Sequence, residues 1–168
     1  MLSSTFQIRE LFNADWPATW AVIEPAFRSG TTFPHPQDIT SEAGYEIWAA
    51  GSAKAYVAED ESGGILGTYY LKPNQPGRGS HVCNCAYIVS SAARGMGIAS
   101  KMCEHSQREA LQEGYRSMQF NFVVSTNTGA VRLWQKLGFE IVGTLPEAFD
   151  HPENGYVDVY VMHKSLLG

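Results

Sequence analysis

The sequence has no run approaching the roughly 18 apolar residues that a membrane-spanning helix needs, and it does not open on a basic, then apolar, then small-residue signal. A cytoplasmic protein with no membrane partner is therefore expected. Basic residues are scarce: Lys and Arg number 12 against 17 Asp and Glu, for a net charge of -5, and the few cations do not gather into a patch. That balance argues against a nucleic-acid partner. Only three cysteines occur, Cys83, Cys85 and Cys103, an odd count that makes no disulfide framework and fits a reducing compartment. With His105 they form two Cys-x-Cys/His pairs, yet no metal site is expected. Cys103 and His105 fall in a helical stretch, where side chains two residues apart diverge by about 200° and cannot grip one ion. Internal repeats, low-complexity stretches and linkers are also lacking. What remains, 168 residues of which 44% are hydrophobic and 17% charged, fits a single domain over 1–168 with a core large enough to need no staples.

Apolar periodicity divides the chain into strands and helices. Thr5 to Glu10 alternates as a short strand, and Asp15 offers an N-cap to a helix carrying Trp16, Trp20, Ile23 and Phe27 and stopped by Gly30. Pro34-His35-Pro36 makes Thr31 to Thr40 a loop able to reach over a site. Ser41 to Ala50 reads as a second helix despite Gly44, and Ala53 to Glu59 with Ile65 to Lys72 reads as a hairpin around Ser62-Gly63-Gly64. Pro73 to Gly79 is a turn before the longest strand, Ser80 to Val89. A helix from about Gly95 to Glu113 follows, with Ile98, Met102, Ser106 and Ala110 along one side, and then the strand Met118 to Val124 with Phe120 and Phe122 on one face. This strand, helix and strand make a βαβ unit, so the two strands should be parallel. Asn127 to Leu137 is a helix closed by Gly138, Phe139 to Thr144 a strand, Leu145 to Asn154 a loop and Tyr156 to His163 a final strand. The class expected is α/β (α+β), mostly strands around a central βαβ with helices packed on them.

Between the longest strand and its helix, Ile88 to Ala99 reads Ile-Val-Ser-Ser-Ala-Ala-Arg-Gly-Met-Gly-Ile-Ala. Gly95 and Gly97 let the backbone bend and approach a ligand, and the opening N–H groups of the helix have no partner within it. With the helix dipole and Arg94 they suit a phosphate or pyrophosphate. A dinucleotide-binding reading fits less well. Ser100 stands where the third glycine of Gly-x-Gly-x-x-Gly belongs, and the motif lies mid-chain.

Arg94-Gly95-Met96-Gly97-Ile98-Ala99 resembles the Gln/Arg-x-x-Gly-x-Gly/Ala element of the GCN5-related N-acetyltransferase (GNAT) family. About 30 residues on, Asn127-Thr-Gly-Ala130-Val-Arg-Leu133-Trp134-Gln-Lys136-Leu-Gly138-Phe139 resembles that family's Asn-x-x-Ala-x-x-Leu-Tyr-x-Lys-x-Gly-Phe. The resemblance implies a GNAT fold: a central mixed, mostly antiparallel sheet of about seven strands, two parallel central strands splayed apart, and about four helices. It also implies acetyl-CoA as the acyl-donor cosubstrate, with no metal. The pantetheine arm would pair with backbone near Ile88 and Val89, and the pyrophosphate would sit on the N–H groups of Arg94, Gly95, Met96, Gly97, Ile98 and Ala99. Asn127 would contact the arm from the other wall, and Trp134 would wall the thioester. An amine would attack directly, the oxyanion being met by a backbone N–H near Ile88. Relatives are often dimers, so a homodimer is expected.

Two positions depart from the family pattern. Trp134 stands where many relatives carry the tyrosine that protonates the leaving thiolate, and an indole N–H has no useful acidity. Asn84, in Asn84-Cys85-Ala86-Tyr87-Ile88-Val89, stands where a glutamate often precedes the glycine turn, and it cannot act as a base. Asn121 lies mid-strand next door. Asparagine is disfavoured in strand interiors, so the pair suggests either a polar pocket floor that orients the acceptor or amides that satisfy a bulge or the edge of the splay. An amide pair suits a small zwitterion, and the pattern is similar to acetyltransferases acting on proline analogues such as azetidine-2-carboxylate. The expected activity is acetyl transfer to the amine of a small molecule, an amino acid or proline analogue among the candidates; the alternative is a non-catalytic acyl-CoA binder or sensor. Asp158 alternates with Tyr156 and Tyr160 and reads first as the polar face of the last strand. His35, His81, His105 and His151 each read first as solvated or structural, with His35 and His151, in loops near where an acceptor would enter, the better two candidates. Arg132 and Lys136 read as a solvated helix face.

Overall fold

The computed structural model describes residues 5–168. Seven strands form one sheet in the order β1-β2-β3-β4-β5-β7-β6. They are β1 (Phe6–Glu10), β2 (Lys54–Asp60), β3 (Ile65–Pro73), β4 (Val82–Val89), β5 (Ser117–Val124), β6 (Glu140–His151) and β7 (Gly155–Ser165). Helices α1 (Trp16–Ser29), α2 (Ser41–Trp48), α3 (Ile98–Gln112) and α4 (Thr128–Lys136) complete the α/β layers. Every neighbouring pair of strands is antiparallel except β4 and β5, which are parallel and joined through α3.

Strand alternation splits the core between the two faces of the sheet. Tyr69, Leu71 and Cys85 pack with Ile98, Met102 and Cys103 of α3 and with Trp134 of α4. Their neighbours Tyr70 and Ile88 point the other way, onto Trp20, Ile23 and Phe27 of α1 and Trp48 of α2. The stripe Ile98, Met102, Ser106 and Ala110 is fully buried, as its spacing predicts. Gly44 has a packing reason: a Cβ there would lie 2.3 Å from the Trp20 ring, so only glycine lets α2 approach α1 so closely.

Several expectations are corrected. Leu145 to Asn154 is not a loop: β6 runs unbroken to His151 against β7, with register slips between Ile141 and Gly143 and between Leu145 and Phe149. Pro146 is tolerated because β6 is the sheet edge, where a missing N–H breaks no ladder. Glu147 takes a left-handed φ of 48° in the slip, and its N–H donates to the Asp158 carboxylate at 3.0 Å. Phe120 and Phe122 do not share a face, since a slip between Phe120 and Val123 sends Phe122 to Phe149 and leaves Phe120 under Trp134 and Phe139. Asp15 does not cap α1 with its side chain. Its carboxylate grips Arg9 at 2.7 and 3.0 Å and accepts the Phe12 N–H, which lowers its pKa. The helix after the glycines starts at Ile98 because Gly95 and Gly97 are both left-handed, at φ 79° and 76°.

Candidate active site

Strands β4 and β5 pair only from Val82 with Ser117 to Asn84 with Gln119 and then part. Beyond that point β4 stays bonded to β3 as far as Val89 with Gly67, so one side of its backbone faces an open gap. The register identifies which groups do so. Asn74 N–H donates to Val82 O and Ser90 N–H to Leu66 O, both at 2.8 Å, so the even-numbered residues of β4 exchange bonds with β3. Main-chain groups of Tyr87 and Val89 therefore turn into the gap, whereas the N–H of Ile88 points at Thr68 of β3. The β4 backbone N–H groups that face the gap beside Ile88 are thus those of Tyr87 and Val89.

At one mouth of the gap lies a cavity of about 520 Å³ lined by the glycine turn, the start of α3 and the face of α4. Gly97 caps α3 with no side chain bonded to the helix, no acid occupies the first turn, and Cβ atoms at Gly95 or Gly97 would meet only open space. Bare N–H groups, the dipole and Arg94, which makes no ion pair among the described residues, converge here. Ile98 contributes only its backbone, its side chain being in the core, and Met96 is turned outward and lines neither cavity. Across the gap Asn127 spends its carbonyl oxygen on the Ala130 N–H, capping α4, and keeps its amide N–H groups to donate. Trp134 is buried with its ring 5.0 Å from that of Tyr87 and lines both cavities.

A second cavity, of about 680 Å³, meets the first at Tyr87, Val89, Arg94, Ala130 and Trp134 and extends to the α1 and α2 face. Asn84 and Asn121 both line it, but their amides differ. The Asn84 oxygen accepts from Tyr70 at 3.1 Å while its nitrogen donates to Gln119 O at 3.0 Å, so this buried amide closes the seam where the strands part. Asn121 is exposed, bonded to Asn74 at 2.6 Å and to Gln119 at 2.8 Å. Sequence reasoning missed Lys72 and Tyr70. Lys72 Nζ lies 4.6 Å from the centre of the Tyr70 ring and makes no ion pair among the described residues. The alternation of β3 carried a usable signal, because a lysine one residue from buried Leu71 and two from Tyr70 must face the α1 side. His35 lines the cavity, as its loop position suggested. No Asp or Glu lines either cavity.

The remaining candidates are placed elsewhere. His151 is not in a loop and lines neither cavity: it ends β6, where Nδ1 accepts the N–H groups of Glu153 and Asn154 at 3.2 Å. Asp158 holds the Glu147 bulge. His105 bonds Tyr69 at 2.8 Å, and burial lowers its pKa. His81, Arg132 and Lys136 are exposed. The three cysteines are buried in the core, Cys83 against Ser117 O. No helix of the described residues is long and apolar enough to cross a membrane.

A gap where two parallel strands part, with the open start of α3 and Arg94 at one mouth and a separate pocket beside it, suits an extended, anion-bearing ligand. The family model for the acetyltransferase (GNAT) family matches residues 6–139, and the chain belongs to that family. Among its relatives, the N-acetyltransferase aca1 of Schizosaccharomyces pombe is 39% identical over 98 residues, 58% of this chain and 47% of aca1. The chain thus spans about half the length of that curated relative. A GCN5-related N-acetyltransferase from Kribbella flavida superposes with a TM-score of 0.90 at 40% identity, covering 95% of this chain and 97% of the other. The phosphinothricin acetyltransferase of Sinorhizobium meliloti, solved in complex with AcCoA, shares the fold at a TM-score of 0.84 and 18% identity, covering 96% and 88% of the two chains.

Proposed function

We propose that this chain, acting as a single domain over 1–168, transfers the acetyl group of acetyl-CoA to the amine of a small carboxylate-bearing acceptor, an amino acid or proline analogue. The observation that carries this reading is the larger cavity, which opens onto the β4–β5 gap, holds Lys72 without an acidic partner, and has no carboxylate of its own. A polyamine would meet no counter-charge there. An acceptor carboxylate would gain Lys72, and the amides of Asn74 and Asn121 would add hydrogen bonds.

In this reading the start of α3, Gly95 to Ala99, and Arg94 hold the pyrophosphate, and Tyr87 and Val89 pair with the pantetheine arm through their main chains. Asn127 donates to the arm from α4, and Ile88 and Trp134 wall the thioester. The amine lone pair attacks the carbonyl carbon, the N–C bond forms, the C–S bond breaks, and the thiol of coenzyme A leaves. An N–H of β4 meets the oxyanion, so positioning and a fixed dipole supply most of the acceleration. Asn84 holds the seam that makes the gap.

Thiol release from acetyl-CoA, measured with amino acids, proline analogues, polyamines and a peptide bearing a free N-terminus, tests the assignment. Turnover concentrated among free amino acids and proline analogues is expected. Preference for polyamines or the peptide would overturn the acceptor class, and tight acetyl-CoA binding with no turnover of any amine would point to a sensor.

A further inference from the structure

Acetyl transfer to an amine needs a group that takes a proton from nitrogen, and the usual carboxylate is missing from this pocket. Six titratable groups line it: His35, Tyr70, Lys72, Cys85, Tyr87 and Arg94. Lys72 and Arg94 are already protonated. Tyr70 donates to Asn84, and Tyr87 lies 2.6 Å from Ser106, whose own hydroxyl donates to Cys103 O, so the Tyr87 proton points into the core. Burial pushes both phenols and the Cys85 thiol up. That leaves His35.

His35 is set as a base should be. Its ring packs 4.7 Å from Phe27 and stacks on Phe33. The loop that carries it is strapped to α1: Arg28 donates to Gln37 O and to Ile39 O, and the Gln37 amide returns a bond to Arg28 O at 2.7 Å. His105 and His151 commit a ring nitrogen to Tyr69 and to backbone N–H groups, whereas the His35 ring has no hydrogen bond among the described residues. His35 lines the cavity, and its unpartnered ring nitrogens are not sealed from solvent.

Resting on the acceptor-site reading above, we infer that His35 is the catalytic base: one ring nitrogen accepts the proton that the amine sheds as its N–C bond forms. The imidazolium then returns that proton to solvent, from which the departing thiolate is protonated, so amine and acetyl-CoA yield amide and coenzyme A with no other reactant. Burial and the charge of Lys72 from β3 lower the His35 pKa below its ordinary 6.5, which keeps the ring neutral at pH 7. Against it α1 contributes Phe27 and the loop Phe33, both uncharged, with Trp48 of α2 packed behind Phe33; Arg28 is spent on the strap and Glu24, and Asp38 is exposed outside the cavity.

The test is the pH profile of kcat/KM for wild type, His35→Gln and His35→Ala with L-azetidine-2-carboxylate, L-proline, azetidine and spermidine. In wild type log kcat/KM should climb with a slope near two at low pH, from His35 and the acceptor amine together, and break below pH 6.5 to a slope near one, where only the acceptor amine still titrates. His35→Gln should lose the break and about 100-fold in kcat with acetyl-CoA affinity unchanged, and added imidazole should restore part of the His35→Ala rate. A His35→Gln enzyme that keeps the break and a kcat within about threefold of wild type, or whose loss follows weaker acetyl-CoA binding, overturns the assignment. Wild-type preference for azetidine or spermidine overturns the acceptor class instead, and the His35 comparison is then read on that amine.

Discussion

On one side of the β4–β5 gap the polar groups turned inward are mostly main chain, the N–H groups opening α3 and the exposed backbone edge of Tyr87 and Val89, joined by the side chains of Arg94 and Asn127. On the other side they belong to side chains: Lys72, His35, Asn74 and Asn121. Main-chain donors can be fixed only by fold, by two left-handed glycines and by a ladder that stops at Asn84. In the proposed reading they serve any acceptor that reacts with the same donor. Side chains can change with the acceptor while the sheet stays as it is. One half of the proposed site is thus set by the backbone, and the other by side chains.

Substitutions that touch only one side separate the two halves. Gly97→Glu should act on the donor side alone. It puts a Cβ at φ 76°, strained by about 1–2 kcal/mol, and a carboxylate where the pyrophosphate belongs, so acetyl-CoA affinity by calorimetry should fall about 100-fold. Unchanged affinity would remove the pyrophosphate from the glycine turn. Asn84→Ala acts on the seam between the sides. It leaves the Tyr70 hydroxyl and Gln119 O unpartnered, which should cost about 2 kcal/mol and lower Tm by roughly 4–8 °C. An undisturbed Tm with a raised acceptor KM would make Asn84 an acceptor ligand and not a fastener. On the acceptor side, Lys72→Gln should raise KM about tenfold for carboxylate-bearing amines and leave acetyl-CoA binding alone. Smallest of all, Asn121→Ala removes an exposed amide bonded to Asn74 and should change acceptor KM about threefold.

The division also explains what could be read from the residues. The donor side was legible because glycines, helix start and flanking strands leave a local pattern, and Arg94 to Ala99 and Asn127 to Phe139 carry it in sequence order. The acceptor side is assembled from α1, its loop, β3 and β5, which only the sheet brings together, so Lys72 next to Tyr70 had no linear motif. Asn84 and Asn121 stood out as polar residues in strands, yet their opposite situations, one sealed in a seam and one on the rim, depend on where pairing stops. The β6 edge was misread because Pro146 breaks a ladder only where a ladder exists on that side. Asp15 does not cap its helix because Arg9, on the neighbouring strand β1, claims its carboxylate.

The central claim, that donor and acceptor meet at the gap and the acceptor brings a carboxylate, is tested most directly by matched rings. Initial rates of thiol release give kcat/KM for L-azetidine-2-carboxylate against azetidine and for L-proline against pyrrolidine. The account predicts that the carboxylate-bearing member of at least one pair is favoured about tenfold or more, the worth of one ion-paired hydrogen bond. Equal or faster turnover of both bare rings would contradict it.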